Sequence, residues 1–316
     1  MKLEDLRVKL NEIESTLSKY IVGHRWLLKL MIVALVSGGH ILVEGPPGIG
    51  KTTVAKLFAQ LIGGRFRRIQ ATSDMLPSDI LGSYYYDLAK GSWVLREGPI
   101  FSNVILIDEL NRAPPRTYSA LLEALQEGQV SIEGVTYKLP RPFLVIATQI
   151  PTVAVGEGTY PLPSLIRDRF AYSYRAGMPS PEEEVEVLGR VDEVEVASLN
   201  PILSQDEIIA LQEVVRSSIY VSDRVRRYIV DIVNRVRVSE EVAIPPSPRA
   251  SIWIMKGSRV LAFLEGLDYV APDHVKAIAP FVLVHRVTIK PEYEVEGLNP
   301  LSIVERVLGE VEVPKY

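Results

Sequence analysis

The stretch Gly45-Pro46-Pro47-Gly48-Ile49-Gly50-Lys51-Thr52 constrains this chain more than any other. Before it runs the short apolar, β-prone segment Ile41-Leu42-Val43. After it, Val54, Leu57, Phe58, Leu61 and Ile62 recur at helical spacing until Gly63-Gly64. A glycine-rich turn can match a short pattern by chance, but a strand before it and a helix opening on Lys-Thr define the phosphate-binding P-loop. Glycines let consecutive backbone N–H groups turn inward around a polyphosphate, and the helix N-terminus adds positive potential. Lys51 can reach β- and γ-phosphates, and the Thr52 hydroxyl can ligate Mg²⁺. The expected cradle is Gly45, Pro46, Pro47, Gly48, Ile49, Gly50, Lys51, Thr52 and Thr53.

A second chemical feature follows the unbroken apolar run Val104-Ile105-Leu106-Ile107, the pattern of a strand buried on both faces of a parallel sheet. It ends in Asp108-Glu109, resembling a Walker B motif. Neighbouring carboxylates point differently and can take different tasks: Asp108 to hold Mg²⁺ through water, Glu109 to orient and deprotonate an attacking water. A third feature is Ser247-Pro248-Arg249, which reads as N-cap, N1 and N2 of a helix. A cation in a first helical turn works against the macrodipole by roughly 0.3–1 kcal/mol. An anion is therefore expected beside Arg249: a nucleotide phosphate at the domain junction is the leading candidate, a nearby surface carboxylate the alternative.

Around these features the chain alternates strands and helices up to about residue 178, which predicts a doubly wound parallel sheet with ligands at the strands' carboxyl ends. Leu3, Leu6, Leu10, Ile13 and Leu17 predict an amphipathic helix over 1–20 that packs on the chain's own body. A second helix runs from about Arg25 to Val36. Arg65–Gln70 and Phe170–Tyr174 read as strands, Thr72–Ile100 as an elaborated loop or hairpin, and Gln129–Lys138 as a β-hairpin. From Met178-Pro179-Ser180-Pro181 onward the pattern is almost wholly helical, with Ser180 an N-cap, Val225, Tyr228, Ile229, Ile232, Val233 and Val236 one buried face, and helices near 249–265, 272–286 and 300–308. The expected division is 1–20, an α/β nucleotide-binding domain at 21–178, and a helical lid at 179–316.

Composition narrows the function classes. With 35 basic and 39 acidic residues in 316, and no long run of either sign, the chain is not built to coat nucleic acid. It has no cysteine, so disulfides, thiolate metal sites and thiol catalysis are excluded. The charged N-terminus is unlike a secretory signal, and the longest apolar run, near Met31–Val36, falls short of the roughly 20 residues a membrane span needs. A cytoplasmic location is the expectation. His24, His40, His274 and His285 are scattered without metal-ligand spacing and read as structural. Arg65, Arg67 and Arg68, and the cluster from Arg224 to Arg237, read as solvated or intersubunit faces, with nucleic-acid contact the alternative.

Longer stretches carry a family resemblance. Gly38-Gly39-His40, Arg68-Ile69-Gln70, Leu76-Pro77-Ser78-Asp79 and Gly98-Pro99-Ile100-Phe101 are among them. So are Asp108-Glu109-Leu110-Asn111-Arg112-Ala113-Pro114-Pro115, Ala120–Glu127, Glu157–Pro163, Asp168-Arg169-Phe170, Ser247-Pro248-Arg249-Ala250 and His285-Arg286. Together they resemble the MoxR family of AAA+ ATPases over essentially the whole chain from Val22. The resemblance implies an AAA+ P-loop domain followed by a small α-helical lid, with ATP and Mg²⁺ bound between body and lid. It implies that Arg169 is an arginine finger reaching a neighbouring subunit's γ-phosphate and that Arg249 is the sensor 2 residue. It also implies that Val22 and Gly23 border the adenine. One departure stands out: the family reads Ala-Thr-Gln-Asn-Pro after the sensor 1 strand, whereas this chain has Ala147-Thr148-Gln149-Ile150-Pro151. Gln149 or Thr148 then becomes the candidate to help place the lytic water.

The expected function is a ring-forming ATPase, hexameric by resemblance, that remodels or matures protein clients through a separately encoded partner with a von Willebrand factor A domain. Ile150 motivates the alternative of a scaffold that binds ATP and scarcely hydrolyses it. A nucleic-acid motor of the helicase-related clade is the third reading, disfavoured by composition.

Overall fold

The computed structural model describes residues 3–46, 48, 50–150 and 160–314. Pro47 and Ile49 of the expected cradle, and Glu157-Gly158-Thr159 of the family-like stretches, lie outside the described residues. The elements in chain order are α1 (Leu3–Tyr20), α2 (Arg25–Ser37), β1 (Ile41–Glu44), α3 (Lys51–Leu61), β2 (Phe66–Gln70), α4 (Pro77–Leu81), β3 (Gly82–Asp87), β4 (Ser92–Glu97) and β5 (Val104–Asp108). Then follow α5 (Pro115–Glu127), β6 (Gln129–Ile132), β7 (Val135–Lys138), β8 (Leu144–Gln149), α6 (Ser164–Arg167), β9 (Tyr172–Arg175), α7 (Pro181–Glu195) and α8 (Gln205–Ser218). The chain closes with α9 (Asp223–Arg237), β10 (Val242–Ile244), α10 (Pro248–Leu264), α11 (Pro272–Leu283), β11 (Thr288–Ile289), α12 (Pro291–Val295) and α13 (Pro300–Glu310).

Five strands form the central sheet in the order β2-β5-β8-β1-β9. All its pairings are parallel. A parallel sheet must be covered on both faces, and the period of two sorts its side chains accordingly. Ile41, Val43, Val104, Leu106, Leu144 and Ile146 point into one apolar cluster, shared with α1, α2, α3 and the helices from α8 onward. Leu42, Ile105, Ile107, Val145 and Ala147 point into the other, shared with α4, α5 and the two hairpins. Every alternate residue of β5 is thus core to a different layer, which explains its uninterrupted apolar run. Because all strands run the same way, the cradle after β1 and Asp108-Glu109 after β5 emerge at one edge of the sheet.

The segment read as a loop at 72–100 holds a short helix, α4, and the antiparallel hairpin β3–β4. Gly82 is what lets the hairpin close against α4: its φ is 90°, and a Cβ there would sit 2.1 Å from the Arg96 carbonyl oxygen. The hairpin β6–β7 lies alongside, with the Tyr84 and Tyr137 hydroxyls in direct contact. The buried face of α9 consists of the six residues its periodicity named.

Three expectations are corrected. The C-terminal part is not all helix, because β10 and β11 form a small antiparallel pair. The helix expected over 272–286 ends at Leu283 and tightens into a turn of 3₁₀ helix at Val284–Arg286. The strand expected from Phe170 begins at Tyr172: the N–H groups of Ala171 and Tyr172 both turn to the His40 carbonyl, and the Phe170 and Ala171 carbonyls are taken by Arg286.

His40 is a buried structural histidine. Its Nδ1 accepts from the Val145 N–H at 3.1 Å, which leaves Nε2 to donate to the Leu125 carbonyl at 3.1 Å. Burial draws its pKa down to about 4. A base whose folded pKa lies below its unfolded value leaves stability intact above the unfolded pKa and erodes it as pH falls toward the folded one. Unfolding free energy, followed by urea titration between pH 7 and pH 4, should therefore decline by on the order of 3 kcal/mol through this group. His40→Phe should be less stable at pH 7 but show a shallower decline.

Candidate nucleotide site

The cradle is built from a strand that stops and a helix that starts without a cap. Gly50 precedes α3 with φ 76° and offers no side-chain acceptor, and no acidic residue lies in the first turn. The first N–H groups of α3 are thus unclaimed by side chains and, with the macrodipole, suit an anion. Gly48 has φ 87°, and a Cβ built at Gly48 or Gly50 would meet no atom within 4 Å. Lys51 folds back on the same segment, its Nζ donating to the Gly45 and Pro46 carbonyls at 3.0 and 3.1 Å. Burial lowers its pKa, while Asp108 and Glu109 act in the opposite sense. These residues fit a polyphosphate with its cation. Lys51 and the α3 N–H groups would hold the phosphates, and Thr52 and Asp108 are the oxygen donors suited to Mg²⁺.

The carboxylate pair is held by neighbours that sequence reasoning did not place here. Arg68 on β2 is half exposed and donates from Nε to Asp108 Oδ2 at 2.6 Å, so this arginine of a solvated face also reaches the carboxylate pair. Glu109 sits in the left-handed region at φ 55°, a conformation costing a non-glycine residue of order 1–3 kcal/mol. Its N–H donates to Thr148 Oγ1 at 2.8 Å, fixing the turn. Its carboxylate accepts from Gln70 Nε2 at 3.2 Å and pairs with Arg112 at 3.0 Å. The strand β8 supplies the remaining candidates. Thr148 is buried against Asp108 and Glu109, whereas the Gln149 amide donates to Glu44 Oε2 at 2.7 Å. Ile150 is held through its backbone by Asn111, which accepts from its N–H at 3.1 Å and donates to its carbonyl at 3.2 Å.

Val22 and Gly23 border this same edge. His24 follows them and places Nδ1 3.0 Å from the Tyr174 hydroxyl, and Tyr174 pairs in register with Val43, just ahead of the cradle. The Glu183 carboxylate lies over Gly23, where a Cβ would approach Oε1 to 2.8 Å.

Arg169 and Arg249 lie elsewhere. Asp168-Arg169-Phe170 leads into β9 at the opposite edge of the sheet, beside His40 at the start of β1. That is a strand length of roughly 13 Å from the cradle. The anion opposite Arg249 is the Asp168 carboxylate, not a phosphate at the junction: Arg249 Nη1 donates to Asp168 Oδ2 at 2.9 Å. Asp168 also accepts from the Ser247 hydroxyl at 2.8 Å and from Arg286 Nε at 3.0 Å. Burial pushes the Asp168 carboxyl up, but Ser247, Arg286 and Arg249 together hold it below the ordinary value. Arg286 is buried, and its remaining N–H groups donate to the carbonyls of Asp168, Phe170, Ala171 and Val282. Arg169 projects beside this cluster and donates to Gln126 Oε1 on α5. Asp168 and Arg286 were visible in the sequence only as neighbours of better-known positions; their signal was a lone acid beside Arg169 and a cation in an otherwise apolar C-terminal stretch.

The sheet, the uncapped glycine loop and the carboxylate pair define a P-loop ATPase of the AAA type. Residues 40–172 match the family described as "ATPase family associated with various cellular activities (AAA)", and residues 234–307 match the AAA lid domain. Chaperone MoxR1 of Mycobacterium tuberculosis is 40% identical over 306 residues, covering 94% of this chain and 80% of that protein. Protein MoxR of Methylorubrum extorquens is 27% identical over 322 residues, covering 92% and 91%. A crystal structure from Cytophaga hutchinsonii, of a protein described as a candidate ATPase, superposes with a TM-score of 0.90 at 35% identity, covering 98% of this chain and 96% of that one. The chain belongs to the MoxR family of AAA+ ATPases. Among the described residues no helix is long and apolar enough to cross a membrane, and no cluster of three or more His, Cys, Asp or Glu is arranged to hold a metal.

Removing one partner of a buried ion pair leaves the other charge uncompensated, a cost of about 3–5 kcal/mol. Arg286→Met should lower the unfolding free energy by that order in urea titration, whereas Arg216→Ala, which breaks an exposed pair with Glu213, should cost below about 1 kcal/mol. Because the Asp168 carboxyl is depressed, its contribution should persist at neutral pH and be lost only as pH falls below about 4.

Proposed function

We propose that this chain is a ring-forming, ATP- and Mg²⁺-dependent ATPase of the cytoplasm that remodels or matures protein clients, with each nucleotide site shared between two subunits. The observation that carries the reading is the position of Arg249 beside Asp168 and Arg169, at the sheet edge opposite the chain's own cradle. Both cations are then poised for a phosphate bound by a neighbour. In this reading residues 21–178 form the nucleotide-binding domain, 179–316 the lid that carries Arg249, and α1 a brace between them.

The chain's own groups divide the work. Lys51 leaves the Gly45 and Pro46 carbonyls to meet phosphate oxygens, and the α3 N–H groups orient the same anion. The cation, when bound to Thr52 and Asp108, supplies charge neutralisation at the leaving oxygens. Glu109 accepts the proton of the attacking water, its carboxylate aimed by the strained turn that Thr148 secures. Arg169 and Arg249 approach from the adjacent subunit and stabilise charge on the transferring group. A hexamer is the assembly the family resemblance favours, acting on clients through a partner with a von Willebrand factor A domain.

Steady-state phosphate release tests this. Glu109→Gln should bind ATP and release phosphate at least about a hundredfold more slowly, and Arg169→Ala about a thousandfold more slowly. Near-normal turnover by Glu109→Gln would reject its role as base. A second reading, an ATP-bound scaffold with little hydrolysis, draws on Ile150, whose side chain offers no polar group, and on Gln149, whose amide is engaged by Glu44. Rapid multiple turnover by the unaltered chain eliminates it.

A further inference from the structure

The helix α7 buries none of its side chains fully. Its inward side is polar: Arg190 donates to the Ser18 and Lys19 carbonyls at 3.0 and 2.7 Å, and Glu183 covers Gly23. On the opposite side, helical spacing lines up Glu184, Val185, Leu188, Asp192 and Glu195. Val185 and Leu188 are 68% and 69% exposed, so the stripe has an apolar centre. The helix carries six glutamates and one aspartate against a single arginine.

The outward face of α10 has the complementary design. Arg249, Ile252, Lys256 and Arg259 recur at helical offsets, with Ile252 47% exposed in their midst. Arg216 of α8 and Arg226 of α9 stand close enough to be felt. Burial and then Arg216 and Arg259 lower the Lys256 pKa; burial and then Arg226 and Arg216 lower that of Arg259. Arg216 and Arg226 have exposed partners in Glu213 and Asp223, but Arg259 Nε is buried with no acceptor among the described residues. A concentration of like charge around an exposed isoleucine favours an acidic, apolar partner.

We propose that the α10 stripe is the dock for α7 of a second copy of this chain. The proposal rests on the shared-site reading. Arg249, the first residue of the stripe, serves a neighbour's cradle, and that neighbour's α7 begins beside its own Gly23 at the cradle edge. The two helices, of 15 and 17 residues, match at roughly 22 and 25 Å. Leu188 and Val185 pack on Ile252, and Glu184, Asp192 and Glu195 meet Lys256, Arg259 and Arg226. Because different faces of each copy are used, the contact is head-to-tail, the kind of interface from which rings are built when its rotation closes.

Sedimentation of the full chain with Glu109→Gln, ATP and Mg²⁺ tests the dock across a concentration series. Glu184→Lys with Asp192→Lys, or Lys256→Glu with Arg226→Glu, should each raise the concentration for half-assembly at least about tenfold, and all four together should recover most of the loss. Leu188→Ser and Ile252→Ser, exposed positions that leave the core untouched, should weaken assembly in the same direction. The dock is overturned if the charge reversals assemble like the parent, or if the four-fold swap, folded by circular dichroism, recovers nothing. A parent that assembles regardless of these changes leaves the shared site standing and removes only the dock. A parent that stays monomeric overturns both.

Discussion

One carboxylate organises the second half of this molecule. Asp168 stands where the chain enters β9 and receives Ser247 and Arg249 from α10 and Arg286 from the turn after α11. Desolvating Arg286 is expensive, and only the full set of Asp168 and backbone acceptors offsets it. The consequence is directional. The start of α10 and the turn after α11 are tied to the N-terminal edge of the sheet, not to the edge that bears the phosphate cradle. Arg249 is thereby carried away from its own Lys51 and set beside Arg169.

The other edge follows different physics. A strand that ends in Glu44, glycines with positive φ and a helix without a cap leave donors that no side chain claims. Opposite them, Glu109 is strained into the left-handed region and its turn is pinned by Thr148. A subunit built this way carries an acceptor of phosphate at one edge and cations for phosphate at the other. In the proposed function such a pair of half-sites completes itself between copies, and the separation rests on where one aspartate sits.

Much of this was legible in the residues. The cradle, Asp108-Glu109 and the buried face of α9 were readable because glycine, adjacent carboxylates and 3.6-residue periodicity each have a local physical cause. The capping argument also read Arg249 correctly as a cation in need of an anion, but it favoured a phosphate over the carboxylate that answers it, since Asp168 lies 81 residues away. Arg68 and Asn111 escaped for the same reason: each acquires its role from a strand pairing or a long-range hydrogen bond. The hairpin at β3–β4 was half seen, because its turn chemistry was readable but its docking on α4 depends on Gly82.

Mixing two inactive variants tests the shared site most directly. Lys51→Ala removes the cradle's cation and keeps Arg249; Arg249→Ala keeps the cradle and loses the donor. Each alone should release phosphate at a small fraction of the normal rate. If Arg249 serves the neighbour, mixed rings contain junctions with an intact cradle on one copy and an intact Arg249 on the next, and equimolar mixing should restore clear turnover. If mixing at any ratio leaves the rate at the level of the separate variants while sedimentation shows mixed assembly, Arg249 acts within its own subunit and the account is contradicted.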